Sequence, residues 1–261
     1  MRGSKNAVWK NDLGQCIYFD NYRFFLEAID MISVPGIHTT ESLAMADGVK
    51  TIRHQLGAKT IPCSFAFKNT DDDGLTCMEL AQIFSPLRSG VLRVYTENAE
   101  YMIECSIQDE PTFVRDTDNV FRWNVDFVAD FPYWKMDTKK IKAVSDIPFA
   151  GLKRVLLSDC PFDIMPEIVF PASNNSVMFQ LYPQGSTSKG FTLKAHPDYP
   201  VRVITQDFKV IRDDTKEDCS QLIDATAELD EICIRYGKNV VTASPADGVT
   251  LEYYNLSMGE V

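Results

Sequence analysis

Apolar and polar side chains alternate along several stretches of this chain, which in an extended strand sends them to opposite faces. Ile61, Cys63, Phe65 and Phe67 alternate with Pro62, Ser64, Ala66 and Lys68; Phe121, Trp123, Val125 and Phe127 alternate with Arg122, Asn124 and Asp126. Each stretch reads as a strand with one buried face. The polar opposite faces favour antiparallel sheets over the continuous apolar strands of a doubly wound parallel sheet. Between Gly74 and Phe84 the period lengthens, so that Leu75, Met78, Leu80, Ala81, Ile83 and Phe84 share one broad helical face. Asp72 or Asp73 is placed to cap its start and Pro86 to limit its end. Leu87-Arg88-Ser89-Gly90 then turns into a strand from Val91 to Thr96, and Glu97-Asn98-Ala99-Glu100 links that strand as a hairpin to Tyr101 to Ile107.

From Trp134 the composition shifts to Lys135-Met136-Asp137-Thr138-Lys139-Lys140, followed by a mixed stretch with Pro148, Gly151 and Pro161. A domain boundary is expected there, dividing the chain into residues 1–135 and 136–261. Beyond it come short strand candidates: Glu167 to Phe170, Val177 to Tyr182, Gly190 to Lys194, Val201 to Ile204, Phe208 to Arg212, Ile232 to Tyr236 and Val249 to Tyr254. Turn signals separate them at Asn174-Asn175, Gln184-Gly185-Ser186, Asp213-Asp214, Gly237-Lys238-Asn239 and Asp247-Gly248. That spacing predicts a second β-sandwich. The reading is a mainly β chain: an N-terminal β-sandwich-like domain with one helix, then a second sandwich, with no repeat between the halves.

Composition narrows the function classes. The length of 261 residues suits two domains, and 45% hydrophobic with 24% charged residues is ordinary for a globular protein. The formal net charge of −11 repels polyanions, which argues against non-specific binding to nucleic acid or anionic membrane. No apolar segment has the length of a secretory signal or a membrane span. Met1-Arg2-Gly3-Ser4 resembles an expression-vector leader. The seven cysteines have irregular spacing and no C-x-x-C, the pattern of synthesis in a reducing cytosol, and no disulfide is assigned. Cys63, inside an alternating run, reads as a small buried hydrophobe.

Chemical motifs are sparse. His38, His54 and His196 form no H-E-x-x-H and lie near no cysteine pair at zinc spacing. Asn69-x-Asp71-x-Asp73-Gly74 mimics the opening of an EF-hand loop, but position twelve falls on Leu80, where a bidentate carboxylate is needed. An acidic turn explains it better. Asp213-Asp214-Thr215-Lys216-Glu217-Asp218 and the downstream Asp224, Glu228, Asp230 and Glu231 read as charged surface loops in preference to a Ca²⁺ site. Neither a nucleophile elbow nor a glycine-rich phosphate loop is present, and 37 acidic residues make any carboxylate pair uninformative. No catalytic, cofactor-binding or metal-ligating residue is assigned, and no cofactor is expected. Aromatics are more suggestive. Trp9, Tyr18, Tyr22, Phe24 and Phe25, and Phe131, Tyr133 and Trp134, suit core or junction packing first and interface anchoring second. Tyr253 and Tyr254 straddle both faces of a strand, so at most one belongs to a core.

The order of elements, with Lys59-Thr60-Ile61-Pro62 opening one strand and the run from Phe121 to Trp134 closing the half, resembles the distal tail proteins of long non-contractile-tailed phages. Their amino-terminal domain ends in a strand running into an Asp-x-Pro-aromatic turn, here Asp130-Phe131-Pro132-Tyr133-Trp134. The segment Arg235-Tyr236-Gly237-Lys238-Asn239-Val240-Val241 is similar to the Gly-x-Asn segment of that family's galectin-like domain. The resemblance implies a structural, non-enzymatic virion protein of the tail tip, made in the host cytoplasm, whose C-terminal domain is a galectin-like β-sandwich. It also implies a homo-hexameric ring joining the tail tube protein to a tail-associated lysin or fibre hub and a receptor-binding protein. DNA would be passing cargo only, and nothing would insert into a membrane. The competing reading is a carbohydrate-binding module with a platform among Phe179, Tyr182, Phe191 and Tyr199. A third is a hydrolase with its site across the domain junction.

Overall fold

In a computed structural model of the chain, residues 6–19, 23–33, 36–42, 49–68, 77–97, 99–117, 119–136, 138–224 and 227–258 are described. The chain divides into two compact units, Met1–Asp137 with Ser257–Val261, and Thr138–Leu256. The architecture is mainly β with antiparallel pairing throughout, as the alternating pattern predicts.

The first unit contains β1 (Asn6–Asn11), β2 (Cys16–Phe19), β3 (Phe24–Ile29), β4 (Gly36–Ser42), β5 (Val49–Leu56), β6 (Lys59–Lys68), α1 (Cys77–Ile83), β7 (Ser89–Tyr95), β8 (Glu100–Ile107), β9 (Thr112–Thr117), β10 (Val120–Ala129) and β11 (Trp134–Met136). Its main sheet runs β2-β1-β7-β8-β10-β6-β3, with β9 beside β10 and β11 beside β8, while β4 and β5 pair as a separate hairpin. The end strands β2 and β3 come into contact, so the sheet curls around its own core.

The two alternating runs noted in the sequence lie side by side. Phe121 faces Phe67, Trp123 faces Phe65, Val125 faces Cys63 and Phe127 faces Ile61 across β10 and β6. All but Phe121 are buried, and cross-strand aromatic and β-branched pairs of this kind stabilise a sheet. Pro62 sits in β6 without breaking it. Its carbonyl accepts from Asp30 N–H, so its missing N–H lies on the β3 side, just beyond the last β3 pair at Ile29–Cys63.

The core is aromatic. Phe65 packs against Phe19 at 5.1 Å and Phe84 at 5.4 Å, and Trp9 packs on Phe127 at 4.9 Å. Among the described residues of helix α1 the buried positions are Leu80 and Ile83, followed by Phe84. Met78 is 73% exposed and Ala81 is also exposed, which corrects the broader face expected from sequence. The expected cap at Asp72 or Asp73 and the EF-hand-like run lie outside the described residues. After β10, the chain turns through Asp130 to Tyr133 and buries Trp134 completely, with its indole Nε1–H donating to Met31 O at 2.9 Å.

The second unit contains β12 (Lys140–Ala143), β13 (Phe149–Ala150), β14 (Lys153–Ser158), β15 (Glu167–Phe170), β16 (Val177–Pro183), β17 (Gly190–Leu193), β18 (Val201–Ile204), β19 (Lys209–Arg212), β20 (Gly237–Ser244) and β21 (Thr250–Tyr253). They form two five-stranded sheets in the orders β12-β21-β15-β18-β19 and β13-β14-β20-β16-β17. Phe170 of one sheet meets Phe179 and Phe191 of the other at 6.0 Å, which places the core between them. Two expectations need correction. Ile232 to Tyr236 is no strand: a 3₁₀ turn over Leu229–Glu231 and an isolated bridge from Ile234 to Ile164 stand there. Gly237-Lys238-Asn239 opens β20 where a turn was expected. Gly237 supplies the positive φ of 90°, and buried Asn239 closes the preceding loop, donating to Arg235 O at 2.7 Å and accepting from Arg235 N–H at 2.9 Å.

Candidate functional site

Several of the acidic residues flagged in the sequence are paired with cations of the second unit. Arg202 on β18 donates to Asp213 at 2.6 Å, to Glu252 at 2.6 Å and to Glu167 at 2.5 Å, while Lys139 pairs with Glu252 at 2.7 Å and Glu167 at 3.0 Å. Glu167 and Glu252 are direct register partners on β15 and β21, a repulsive placement that these two cations offset. Burial alone would raise the Glu252 carboxyl; the Arg202 and Lys139 hydrogen bonds outweigh it and hold the group below its ordinary value. Arg202 likewise holds Asp213 low. Arg212 binds Asp214 through two bonds of 3.0 and 2.9 Å, Lys189 pairs with Glu228 at 3.0 Å and with Glu231, and Asp218 accepts from Ser220. Among the described residues no group of three or more His, Cys, Asp or Glu is arranged to hold a metal ion.

The other flagged residues also have structural surroundings. His196 is buried with both ring nitrogens at hydrogen-bonding distance from carbonyls, Lys194 O at 2.8 Å and Pro171 O at 2.9 Å. His38 and His54 are register partners on the β4–β5 hairpin. Cys63 is buried as expected, and burial pushes its thiol up to about 12, an unreactive state. The six cysteines with described side chains are free.

The four aromatics of the competing carbohydrate-binding reading do not form an exposed platform. Phe179, Tyr182 and Phe191 are buried, and Tyr199 is half-buried with the Arg212 guanidinium 4.3 Å from its ring centre. Among the aromatic candidates for interfaces, Trp9, Phe24 and Trp134 are core, Tyr22 lies outside the described residues, and Phe131 and Tyr133 pack on each other, half-buried, at 5.1 Å. Tyr18 on β2 and Phe25 on β3 are exposed. Tyr253 is buried and Tyr254 half-buried, so only one of that pair is core.

Exposed apolar surface lies elsewhere. In the first unit, Phe113 and Val114 project from β9, an edge strand with every residue exposed. Two grooves lie among the described residues of the second unit. One, about 700 Å³, is lined by Lys194, Phe208, Val210, Gln221, Asp224 and Leu229 among others. The other, about 540 Å³, lies between β12 and β14 and is lined by Lys140, Ile141, Lys142, Ile147, Leu157 and Tyr253 among others. Sequence reading missed the second groove because Pro148 and Gly151 marked the segment as linker. The signal was the short alternation of Lys140 and Lys142 with Ile141 and Ala143.

Among solved structures, the Dit (gp 19.1) protein of phage SPP1, described as a paradigm of the hub adsorption apparatus in phages infecting Gram-positive hosts, superposes with a TM-score of 0.67 at 11% identity, over 96% of this chain and 99% of that one. The chain has a Dit-like fold. The phage P2 baseplate in its activated conformation contributes two further matches. In the form with Ca the TM-score is 0.61 at 8% identity, covering 98% of this chain and 99% of that one. In the form with Sr it is 0.63 at 8% identity, covering 99% and 100%. No protein-family model and no curated protein matches the sequence. The Dit-like likeness therefore lives in backbone architecture, spans both units, and is carried by hardly any shared side chains.

Proposed function

We propose that the chain is a structural protein of a phage tail tip, a hub whose copies close into a hexameric ring between the tail tube and the host-adsorption apparatus. The observation that carries this reading is the end-to-end structural likeness to a hub protein and to baseplate chains, covering 96–99% of this chain. The first unit would build the ring, and the second, a galectin-like sandwich, would project outward to a lysin, fibre hub or receptor-binding protein. DNA passes through without being bound, and the role is not enzymatic. Several flagged acidic groups are held in ion pairs, and the flagged Trp9, Phe24 and Trp134 are core, which favours a scaffold reading. No helix among the described residues is long and apolar enough to cross a membrane.

Ring closure by head-to-tail contacts needs two different patches on each copy. Tyr18 and Phe25 on the end strands, and Phe113 and Val114 on β9, supply exposed apolar side chains for such contacts. Light scattering combined with negative-stain microscopy tests the reading. Rings of six are expected, alone or with tail partners. A monomer at every concentration, with no ring in either setting, would overturn it.

A further inference from the structure

The two sheets of the second unit leave one side of their sandwich open. β12 ends its sheet, and in the facing sheet β13 flanks β14 only at Arg154 and Lys153. Backbone groups along a strand point alternately to its two sides. Val155 N–H donates to Pro148 O, away from β20, so the N–H and C=O of Leu157 turn to the same side, beyond the reach of β13. Leu157 is 69% exposed. Among the described residues, a short length of unpaired sheet edge thus borders the 540 Å³ groove.

The opposite wall is cationic. Lys140 and Lys142 share a face with their register partners Tyr253 and Leu251, which are buried, so both lysines stand on the inner face of the sandwich, where a closed one carries apolar side chains. Lys140 Nζ lies 6.0 Å from the Tyr253 ring centre. Among the described residues neither lysine has a carboxylate at ion-pair distance, in a chain with 37 acidic and 26 basic residues where Lys135, Lys139, Lys189, Arg202 and Arg212 are all paired. Asp146 also lines the groove and accepts from Ser145 Oγ at 3.1 Å, and Arg154 is engaged with the Ser145 and Ile147 carbonyls.

We propose that this groove takes an extended acidic peptide segment of a partner protein, added as a strand at the free edge of β14. The residue opposite Leu157 would share its exposed face and should be apolar, while its neighbours would point inward to Lys140 and Lys142 and should be acidic. Main-chain bonds supply affinity in strand addition, and alternate side chains supply specificity. The inference does not depend on ring formation, since the edge belongs to a single copy.

The test titrates the full chain with a short synthetic peptide of alternating glutamate and valine, by calorimetry and by hydrogen exchange. Saturable binding with new protection of the Leu157 amide is expected. Lys142→Glu and Lys140→Glu should each weaken it about tenfold, Lys→Arg at both positions should keep it, and glutamine in place of glutamate should abolish most of it. An unchanged thermal midpoint in the Glu variants confirms that they fold. Absence of binding, equal binding by the glutamine peptide, or binding without protection at Leu157 would overturn the proposal. So would inorganic polyphosphate binding that matches the peptide, which would make the lysines a general anion patch. Lysines that only guard the edge against self-pairing would give the first of these failures.

Discussion

Phe208 holds φ at 54°, a left-handed conformation that L side chains resist, at the end of the turn joining β18 to β19. Its ring is 61% exposed, so little packing offsets the strain. Phe208→Gly is therefore expected to stabilise the second unit by about 1 kcal/mol, the left-handed cost less the entropy a glycine adds to the unfolded chain. Urea unfolding measures it, and a loss of stability would mean that the ring makes a packing contribution its exposure conceals. Lys59 presents the opposite case, a charge carried into a core. It is fully buried, its Nζ donates to Met258 O at 2.8 Å, and burial lowers its ammonium to about 8 despite the opposing pull of Asp30. Because the folded value lies below the ordinary 10.5, the unfolded chain binds more protons between pH 8 and 10.5, and stability should rise with pH across that window. The gain is on the order of 1–3 kcal/mol. Lys59→Met should flatten the slope in unfolding measured from pH 7.5 to 10.5, and an equal slope in both proteins would assign it to another group.

At the scale of elements, β7 approaches β1 so closely at Gly90 that a Cβ there would strike the Lys10 carbonyl oxygen and come within 2.8 Å of Asn11 Cα and the Trp9 ring. Gly90→Ala must push β1 outward, and overpacking of this kind should cost about 2–3 kcal/mol. Denaturant unfolding followed by near-ultraviolet circular dichroism, which senses Trp9, checks it. Unchanged stability would mean the two strands separate without penalty. The strands most legible in the sequence were those with one dry face: β15 and β18 stand out as short runs between turn signals, and β6 and β10 announce themselves through alternation, because burial on one side selects every second residue. Their partnership did not, since pairing between β6 and β10 is non-local. β14 escaped because Val155 and Leu156 are both buried, which erases alternation, and β20 because Val240 and Val241 are likewise buried in succession behind a glycine. The groove lysines escaped for a related reason: on an open-sided strand, period-two patterning places charge where a core residue is expected.

At the scale of the whole molecule, charge governs how the proposed ring would assemble. Each copy carries a formal −11, so closing six copies concentrates about sixfold that charge around one axis, and self-repulsion opposes closure. The contact candidates Tyr18, Phe25, Phe113 and Val114 are apolar, so they gain nothing from low salt to compensate. Raising ionic strength shortens the screening length from about 10 Å at 0.1 M to about 3 Å at 1 M, which weakens the repulsion while leaving apolar burial intact. The ring population measured by light scattering should therefore grow as sodium chloride rises from about 0.05 to 0.5 M. Dissociation of the ring by salt would reverse the assignment, because it would mean that copies are joined by opposite charges across the interface and that the excess negative charge faces elsewhere. The same titration bears on DNA passage. The proposed ring would carry an excess of negative charge, and that net field opposes retention of a polyanion passing through it.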